Sequence, residues 1–373
     1  MKKENWEIKS FEECLEKVVY TNKIQRKDFL DNGKHPVISQ EKDFVNGYWD
    51  NSKDLFKVRK PVIIFGDHTQ VLKYVDFDFV LGADGVKILQ PTSELEPRFF
   101  YYYLQNINIG SLGYARHYRL LKESEVEFPK SLLEQQRIVS VLDKAFVDIS
   151  KAKDIAEQNL KNAKELFESY LQSMFTNKGD DWEEKTLGGI AFVKSGGTPS
   201  RSKKEYWTGK IAWYSSGELN NLYTTTPERY INDLAISNSN AKIFPKGSLL
   251  IGMYDTAALK MSILDRDGSF NQAIAGVKPN DKIDLTFILH SINSIKPELL
   301  NLRRGVRQKN LSLEKIKSIP TYVPPLQVQK NVVSKLGELS TETKKLEAIY
   351  EQKLNDLEEL KKSILQKVFN GEL

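Results

Sequence analysis

Two stretches of the chain repeat one alternation of apolar and polar positions at helical spacing. Residues 133–177 contain neither Pro nor Gly and are rich in Glu, Lys, Gln, Leu and Ala; residues 327–370 share that character, interrupted only by Gly337. At about 100° per residue, Ala152, Ile155, Ala156, Leu160, Ala163, Leu166, Phe167, Tyr170, Leu171 and Met174 fall on one stripe of the first. Leu346, Ile349, Tyr350, Leu354, Leu357, Leu360, Ile364, Leu365 and Val368 form the stripe of the second. Each stripe is wider than the ~100° expected of a helix lying on a single surface. The pattern therefore predicts two long helices, each with more apolar surface than one partner helix can cover.

The two helices are copies. Sliding the chain against itself by 194 positions superposes Leu132–Phe175 on Leu326–Phe369 without a gap, and 16 of those 44 positions are identical. Unrelated sequences share about three in such a window. The repeat continues upstream with gaps. Trp6, Glu7 and Lys9 meet Trp182, Glu183 and Lys185, and Gly33, Lys34 and Ser39 meet Gly209, Lys210 and Ser215, all at an offset of 176. IIFGDHT (63–69) resembles LLIGMYDT (249–256), and GVK at 85–87 matches GVK at 276–278 at an offset of 191. Insertions collect in the globular part while the helical part keeps its length.

Helix one places small residues (Ala152, Ala156, Ala163) where helix two places large ones (Leu346, Tyr350, Leu357), the complementarity of a pair that interdigitates. The expectation is an antiparallel coiled coil, paired through Ala152, Ala156, Ala163, Leu166, Tyr170, Leu346, Tyr350, Leu357, Leu360 and Ile364. A second apolar face of Leu160, Phe167, Leu171, Leu354 and Leu365 is left for another protein. The other reading is two amphipathic helices packed on their own domains.

Composition adds limits. At 373 residues the chain can hold two domains with separate cores, and 40% hydrophobic and 10% aromatic content suit a folded protein. No run of 18 apolar residues and no apolar N-terminal region is present, which predicts a cytoplasmic protein without a membrane span. The single Cys14 excludes an internal disulfide. A net charge of +5 permits a polyanionic partner without requiring one. His35, His68, His117 and His290 lack metal-site spacing, so no metal is expected. SGGTPSRSKK (195–204) has a Gly pair but no following GK, and there is no adenine-methylation or cofactor-loop motif.

Three segments carry a family likeness: SGGTPSRSKKEYWTGKIAWYSSGEL (195–219), the helix lead-ins FPKSLLEQQRIVSVLD (128–143) and VPPLQVQKNVVSKLGEL (323–339), and PVIIFGDHTQVLKYVDFDFVLGADGVKIL (61–89) with GYARHYRLLKE (113–123). The chain resembles, over nearly its whole length, the specificity (S) subunit of Type I restriction-modification systems. It departs from that pattern in its first half, where VVYTNKIQRKDF stands in place of the SGGTPS loop, and in LQVQ against LLEQ at the second lead-in. The resemblance implies an α+β fold with a pseudo-twofold repeat. Recognition domain 1 (1–128), a central helical spacer (129–178), recognition domain 2 (179–322) and a C-terminal helical spacer (323–373) would follow one another. It implies a non-catalytic subunit that binds a bipartite, asymmetric site in double-stranded DNA and docks two methyltransferase subunits and, through them, restriction subunits. S-adenosylmethionine, ATP and magnesium would be used by those partners and none bound here.

Base readout needs paired donors and acceptors, with cations on phosphates. The candidates in domain 2 are Thr198, Ser200, Arg201, Lys203, Lys204, Tyr214, Ser215, Ser216, Tyr254, Lys260, Arg303, Arg304, Arg307, Gln308 and Lys309. In domain 1 they are Lys34, His35, His68, Lys73, Arg116, His117 and Arg119. Tyr206 and Trp207 could stack on bases, whereas IAWYSS reads as a buried strand that takes Trp213 into the core. Gly66 and Gly252 are expected to permit tight bends. A coiled-coil adaptor whose end domains bind proteins, or an enzyme in its own right, are the competing readings.

Overall fold

The computed structural model describes residues 5–83, 85–110, 113, 115–179, 181–301 and 310–372. The chain divides into two compact units, Met1–Gln158 with Glu351–Leu373, and Asn159–Tyr350.

In unit 1 the apolar run Val62–Gly66 is buried throughout and forms the centre of a three-stranded antiparallel sheet between Leu72–Val75 and Val86–Leu89, as expected of a strand covered on both faces. A mixed sheet lies beside it in the chain, His35–Ile38 running parallel to Phe79–Gly82 and antiparallel to Gly47–Trp49. Helix α1 (Pro97–Asn106) follows, started by Pro97 and capped by Glu96, whose carboxylate accepts the Phe99 N–H at 2.6 Å. Then come the short α2 (Tyr118–Lys122), a strand Glu125–Pro129 paired back onto Trp6–Ser10, and the 45-residue α3 (Leu132–Thr176).

Unit 2 repeats this plan. Glu183–Thr186 pairs with Pro320–Val323 and leads into α4 (Leu187–Ile190). Leu249–Gly252 is central between Met261–Ile263 and Ile274–Val277, and Ile211–Tyr214 runs parallel to Gly268–Phe270 and antiparallel to Arg229–Ile231. The helices are α5 (Asp233–Ser237), α6 (Leu285–Asn301), α7 (Leu313–Lys317) and the 44-residue α8 (Leu326–Phe369). The two long helices start and stop within one residue of the ranges expected from their pattern, and each is about 67 Å long at 1.5 Å per residue.

The repeat extends to individual side chains. In unit 1 the Phe99 ring stands 6.2 Å from Trp6 and 5.5 Å from Phe369; in unit 2 the Phe287 ring stands 5.6 Å from Trp182 and 5.3 Å from Phe175. A buried glutamine at the start of each long helix is repeated too. The Gln135 amide donates to the carbonyls of Glu94 and Pro129, each at 2.8 Å, and accepts the Glu96 N–H at 2.7 Å. Gln329 donates to Pro324 at 2.8 Å and accepts the Asp284 N–H at 2.8 Å. Each glutamine thus fastens a long helix to the capped start of α1 or α6. The GVK match is out of register: Ile63 faces Leu89 and Leu249 faces Val277, so Leu89 and Val277 correspond, an offset three residues short of the one GVK suggested.

Within unit 1 the helices run antiparallel. Ile138 and Leu142 of α3 share a core with Leu365, Val368 and Phe369 of α8, the Lys361 ammonium lies over the Phe146 ring, and Lys153 pairs with Glu358 at 2.6 Å. That exposed ion pair contributes well under ~1 kcal/mol; the apolar burial does the holding. Within unit 2, Leu171 and Phe175 share a core with Val332 and Leu336. Of the proposed pairing residues, Ala156 and Ala163 are buried. Four of the proposed pairing residues are not: Leu166, Tyr170, Leu346 and Leu360 are exposed. Conversely, two residues assigned to docking, Leu171 and Leu365, are buried in the cores of their own units, Phe167 is half-buried against His290, and Leu160 and Leu354 are half-buried. The reason is rotational. The buried line on α3 runs through Ile138, Leu142, Ala156, Ala163 and Leu171, while Ile155, Leu166 and Tyr170 lie roughly a quarter-turn away on the same wide stripe. Among the described residues no helix is long and apolar enough to cross a membrane.

Candidate nucleic-acid interface

The loop 195–204 in unit 2 is a rigid platform. A Cβ on Gly196 would press into the Phe270 carbonyl oxygen and one on Gly197 into the Asn240 backbone, so this pair is glycine because two backbones cross. Their N–H groups donate to the carbonyls of Ile274 and Phe270 at 3.0 and 2.9 Å, which leaves no phosphate cradle. The buried Trp213 indole donates to the Gly197 carbonyl at 3.1 Å and Trp207 to that of Ser200 at 3.2 Å, with the rings edge to face at 5.0 Å. Thr198 is spent on Gln272.

Beyond these anchors the loop presents Ser200, Arg201, Lys203 and Lys204, all exposed. The Lys203 ammonium bonds the Tyr206 hydroxyl at 3.1 Å, which raises its pKa. Arg201 and Lys204 line an open cleft of about 600 Å³ with Trp207, Thr208, Glu228, Arg229 and Tyr230, and the Arg229 guanidinium lies over the Trp207 ring at 5.7 Å. Three cations around an indole face, against one carboxylate, suit a polyanion with stacking bases. Sequence reasoning missed Arg229 and Tyr230, since nothing in their neighbourhood announces that they fold back on the 195–204 loop. It also missed Lys194, Asn240, Lys242 and Gln272, which line a second cleft of about 550 Å³ beside Thr198.

Other candidates in unit 2 fall elsewhere. Tyr214 is a core residue whose hydroxyl donates to the Thr225 carbonyl at 3.0 Å; its strand is covered on both faces, so Trp213 and Tyr214 enter separate cores. Ser215 and Ser216 are half-buried in a turn where the Glu218 carboxylate accepts the N–H groups of Ser215 and Glu228 at 2.6 and 2.9 Å. Tyr254 packs on the core, and Lys260 donates to Asn220 at 2.9 Å. Arg303, Arg304, Arg307, Gln308 and Lys309 lie outside the described residues.

In unit 1, Lys34, Arg116 and Arg119 are exposed, and His35 bonds Ser52 at 2.9 Å. Two other candidates are structural. Lys73 is buried, and its ammonium bonds the carbonyls of Asp43 and Phe44 and the Asn46 amide oxygen at 2.5, 3.3 and 3.0 Å; burial pulls its pKa down to about 8. His117 is buried with Nδ1 against the Asp67 carbonyl at 3.1 Å. His68 is half-buried, and its N–H donates to Gln40 at 3.1 Å. The Lys73-pinned loop raises Phe44 into solvent beside Phe77, ring centroids 6.0 Å apart. These two exposed aromatics are a feature the sequence reading passed over.

The family model described as the Type I restriction modification DNA specificity domain matches residues 3–158 and again 179–359. The specificity subunit of the Type I restriction enzyme EcoR124I/EcoR124II of Escherichia coli is 29% identical over 345 residues, covering 86% of this chain and 83% of that one. The putative MjaX specificity subunit of Methanocaldococcus jannaschii is 23% identical over 99% and 94% of the two chains. Among solved structures, a chain of a type I R-M system studied for complex assembly and conformational transition superposes with a TM-score of 0.74 at 15% identity, covering 99% of each. The HsdS subunit of Thermoanaerobacter tengcongensis gives 0.62 at 15% identity, covering 99% and 98%. At such identity the structural likeness speaks for the fold, and the two family matches fall on the two halves of the internal repeat. The chain belongs to the Type I restriction-modification DNA specificity family, the subunit that recognises DNA.

Proposed function

We propose that recognition domains 1–128 and 179–322 each read one half of a bipartite, asymmetric DNA site, and that helical regions 129–178 and 323–373 set the spacing between the halves. The observation that carries this reading is a repeat conserved in its framework and divergent in what it exposes. The aromatic triads and helix-start glutamines recur, whereas the exposed groups differ: unit 2 sets Arg201, Lys204 and Arg229 in one cleft with Trp207, and unit 1 presents Lys23 over the Tyr20 ring, Arg26, Lys27, Lys34, Arg116, Arg119 and the Phe44–Phe77 pair. Two frames of one design with different readers suit two different half-sites.

Two methyltransferase subunits dock on the helices, and restriction subunits join through them; S-adenosylmethionine, ATP and magnesium belong to those partners. The docking faces are the exposed apolar positions repeated at an offset of 194: Ile155 and Leu360 in unit 1, and Ile349 and Leu166 in unit 2. A coiled-coil adaptor with protein-binding ends would not need the cation-ringed cleft.

Two experiments test the reading. Inserting seven residues after position 158 and seven after position 352 lengthens the paired helices by about 10 Å. The preferred spacer should grow by about three base pairs at ~3.4 Å each, with both half-sites unchanged in methylome sequencing; altered half-sites would remove the spacing role from the helices. Second, Arg201→Ala with Lys204→Ala, in complex with the methyltransferase subunits, should flatten the slope of log K against log salt by about 1 to 2. An unchanged slope in salt-titrated binding would place these cations away from phosphates.

A further inference from the structure

The two units differ sharply at one matched position beneath the long helices. Since Glu96 and Asp284 both offer an N–H to a helix-start glutamine, and Phe99 and Phe287 occupy matching triads, Arg98 corresponds to Thr286 and Tyr102 to His290. The 194 offset matches Asp143 with Gly337 and Phe146 with Ser340. In unit 1 these four side chains fill one another's space. Tyr102 packs edge to face on Phe146 at 5.2 Å and donates its hydroxyl to Asp143, and Arg98 holds Asp143 at 2.9 Å.

In unit 2 all four are smaller, and the space is open. Thr286, His290, Gly337 and Ser340 line a cleft of about 680 Å³ with Phe167, Leu171, Asn293, Lys260 and Lys296. A Cβ at Gly337 would meet nothing within 4 Å. The corresponding cleft of unit 1 holds about 410 Å³, and none of Arg98, Tyr102, Asp143 or Phe146 lines it. His290 is 8% exposed and edge-on to Phe167, yet its Nδ1 is buried with no hydrogen-bond partner. The imidazole thus forms part of the cleft wall while its Nδ1 is shut off from solvent.

We infer that this cleft is a socket for one aromatic side chain of the docked methyltransferase subunit, with a carboxylate beside it to meet Lys260 and Lys296. The inference rests on the docking reading above. Unit 1 shows the shape and chemistry of the missing piece, a ring on the Phe146 site with a hydrogen-bonding atom next to it. The charge is complementary as well: two lysines face a single carboxylate, Glu168, in the cleft, and burial, with Lys260 nearby, lowers the Lys296 pKa. The exposed Leu166 lies on the same α3 turn as Phe167, so the socket is continuous with the docking face of unit 2.

The test transplants the unit 1 residues. Thr286→Arg, His290→Tyr, Gly337→Asp and Ser340→Phe together, and Ser340→Phe alone, are made in the full chain and titrated with purified methyltransferase subunit, stoichiometry being followed by native mass spectrometry. The filled chains should keep or raise their melting temperature, as the set packs in unit 1, while one of the two partner copies binds at least tenfold more weakly. Full binding of both copies by a folded, filled chain overturns the socket. So does a rise in melting temperature of the unmodified chain with S-adenosylmethionine alone that filling abolishes, which would give the cleft to a small ligand. Leu166→Asp with Ile349→Asp separates the two ideas: if it disrupts docking and filling does not, only the socket fails; if neither does, the docking reading itself fails.

Discussion

Replacing Gln135 or Gln329 by methionine should cost about 4 kcal/mol of stability, although the substitution preserves length and apolar bulk. Both glutamines are fully buried. Removing the amide strands two carbonyls and the cap N–H of Glu96 in one case, and the Pro324 carbonyl and the Asp284 N–H in the other. Each buried group left unpaired costs about 1–3 kcal/mol. Urea unfolding should show the loss, with a melting temperature lower by about 10 °C for a unit of this size. A cost below ~1 kcal/mol would mean that water reaches these groups and that the glutamines do not fasten the helices.

Acidification should weaken the chain through His290. Burial lowers its pKa from an ordinary value near 6.5 to about 4, Asp284 opposing only in part. Phe167 faces the ring from α3, and Lys260, Lys296 and Glu168 are the other charged groups around its cleft. Between these two values the unfolded chain holds a proton that the folded one refuses, so stability falls as pH drops from 6.5 towards 4 and is unaffected by this group above that window. At 1.36 kcal/mol per unit the loss approaches about 3 kcal/mol. His290→Gln should remove that slope. The check is the difference between the two chains in urea midpoint at pH 7 and pH 4.5; parallel losses would show that the imidazole is hydrated.

Periodicity made the long helices legible, because an unbroken apolar stripe and the lack of Gly and Pro mark their ends. It did not show which part of the stripe faces inward. A stripe wider than one interface has several inward choices, and the choice fell to Ala156, Ala163 and Leu171, with Ile155 and Leu166 outside. The strand at 211–214 and the burial of Trp213 were legible from composition. Charge alone misled at Lys73 and His117, which look like surface readers in sequence and prove to be ties for loop carbonyls. Arg229 and Tyr230 were invisible because only the fold brings them to Trp207. Both glutamines stand within the lead-in motifs, but their role depends on groups more than 40 residues earlier, the Glu94 carbonyl for Gln135 and the Asp284 N–H for Gln329.

Unit 1 is assembled from both ends of the chain, and unit 2 from one unbroken stretch. A ribosome therefore finishes the second unit first. Leu365, Val368 and Phe369, which fill the core around Phe99 and Ile138, emerge only after all of unit 2 has been made, so the N-terminal part of unit 1 stays unsealed until then. A premature stop before residue 365 would release a molecule with Phe99 and Tyr103 uncovered, visible to the chaperones and proteases that survey exposed apolar surface.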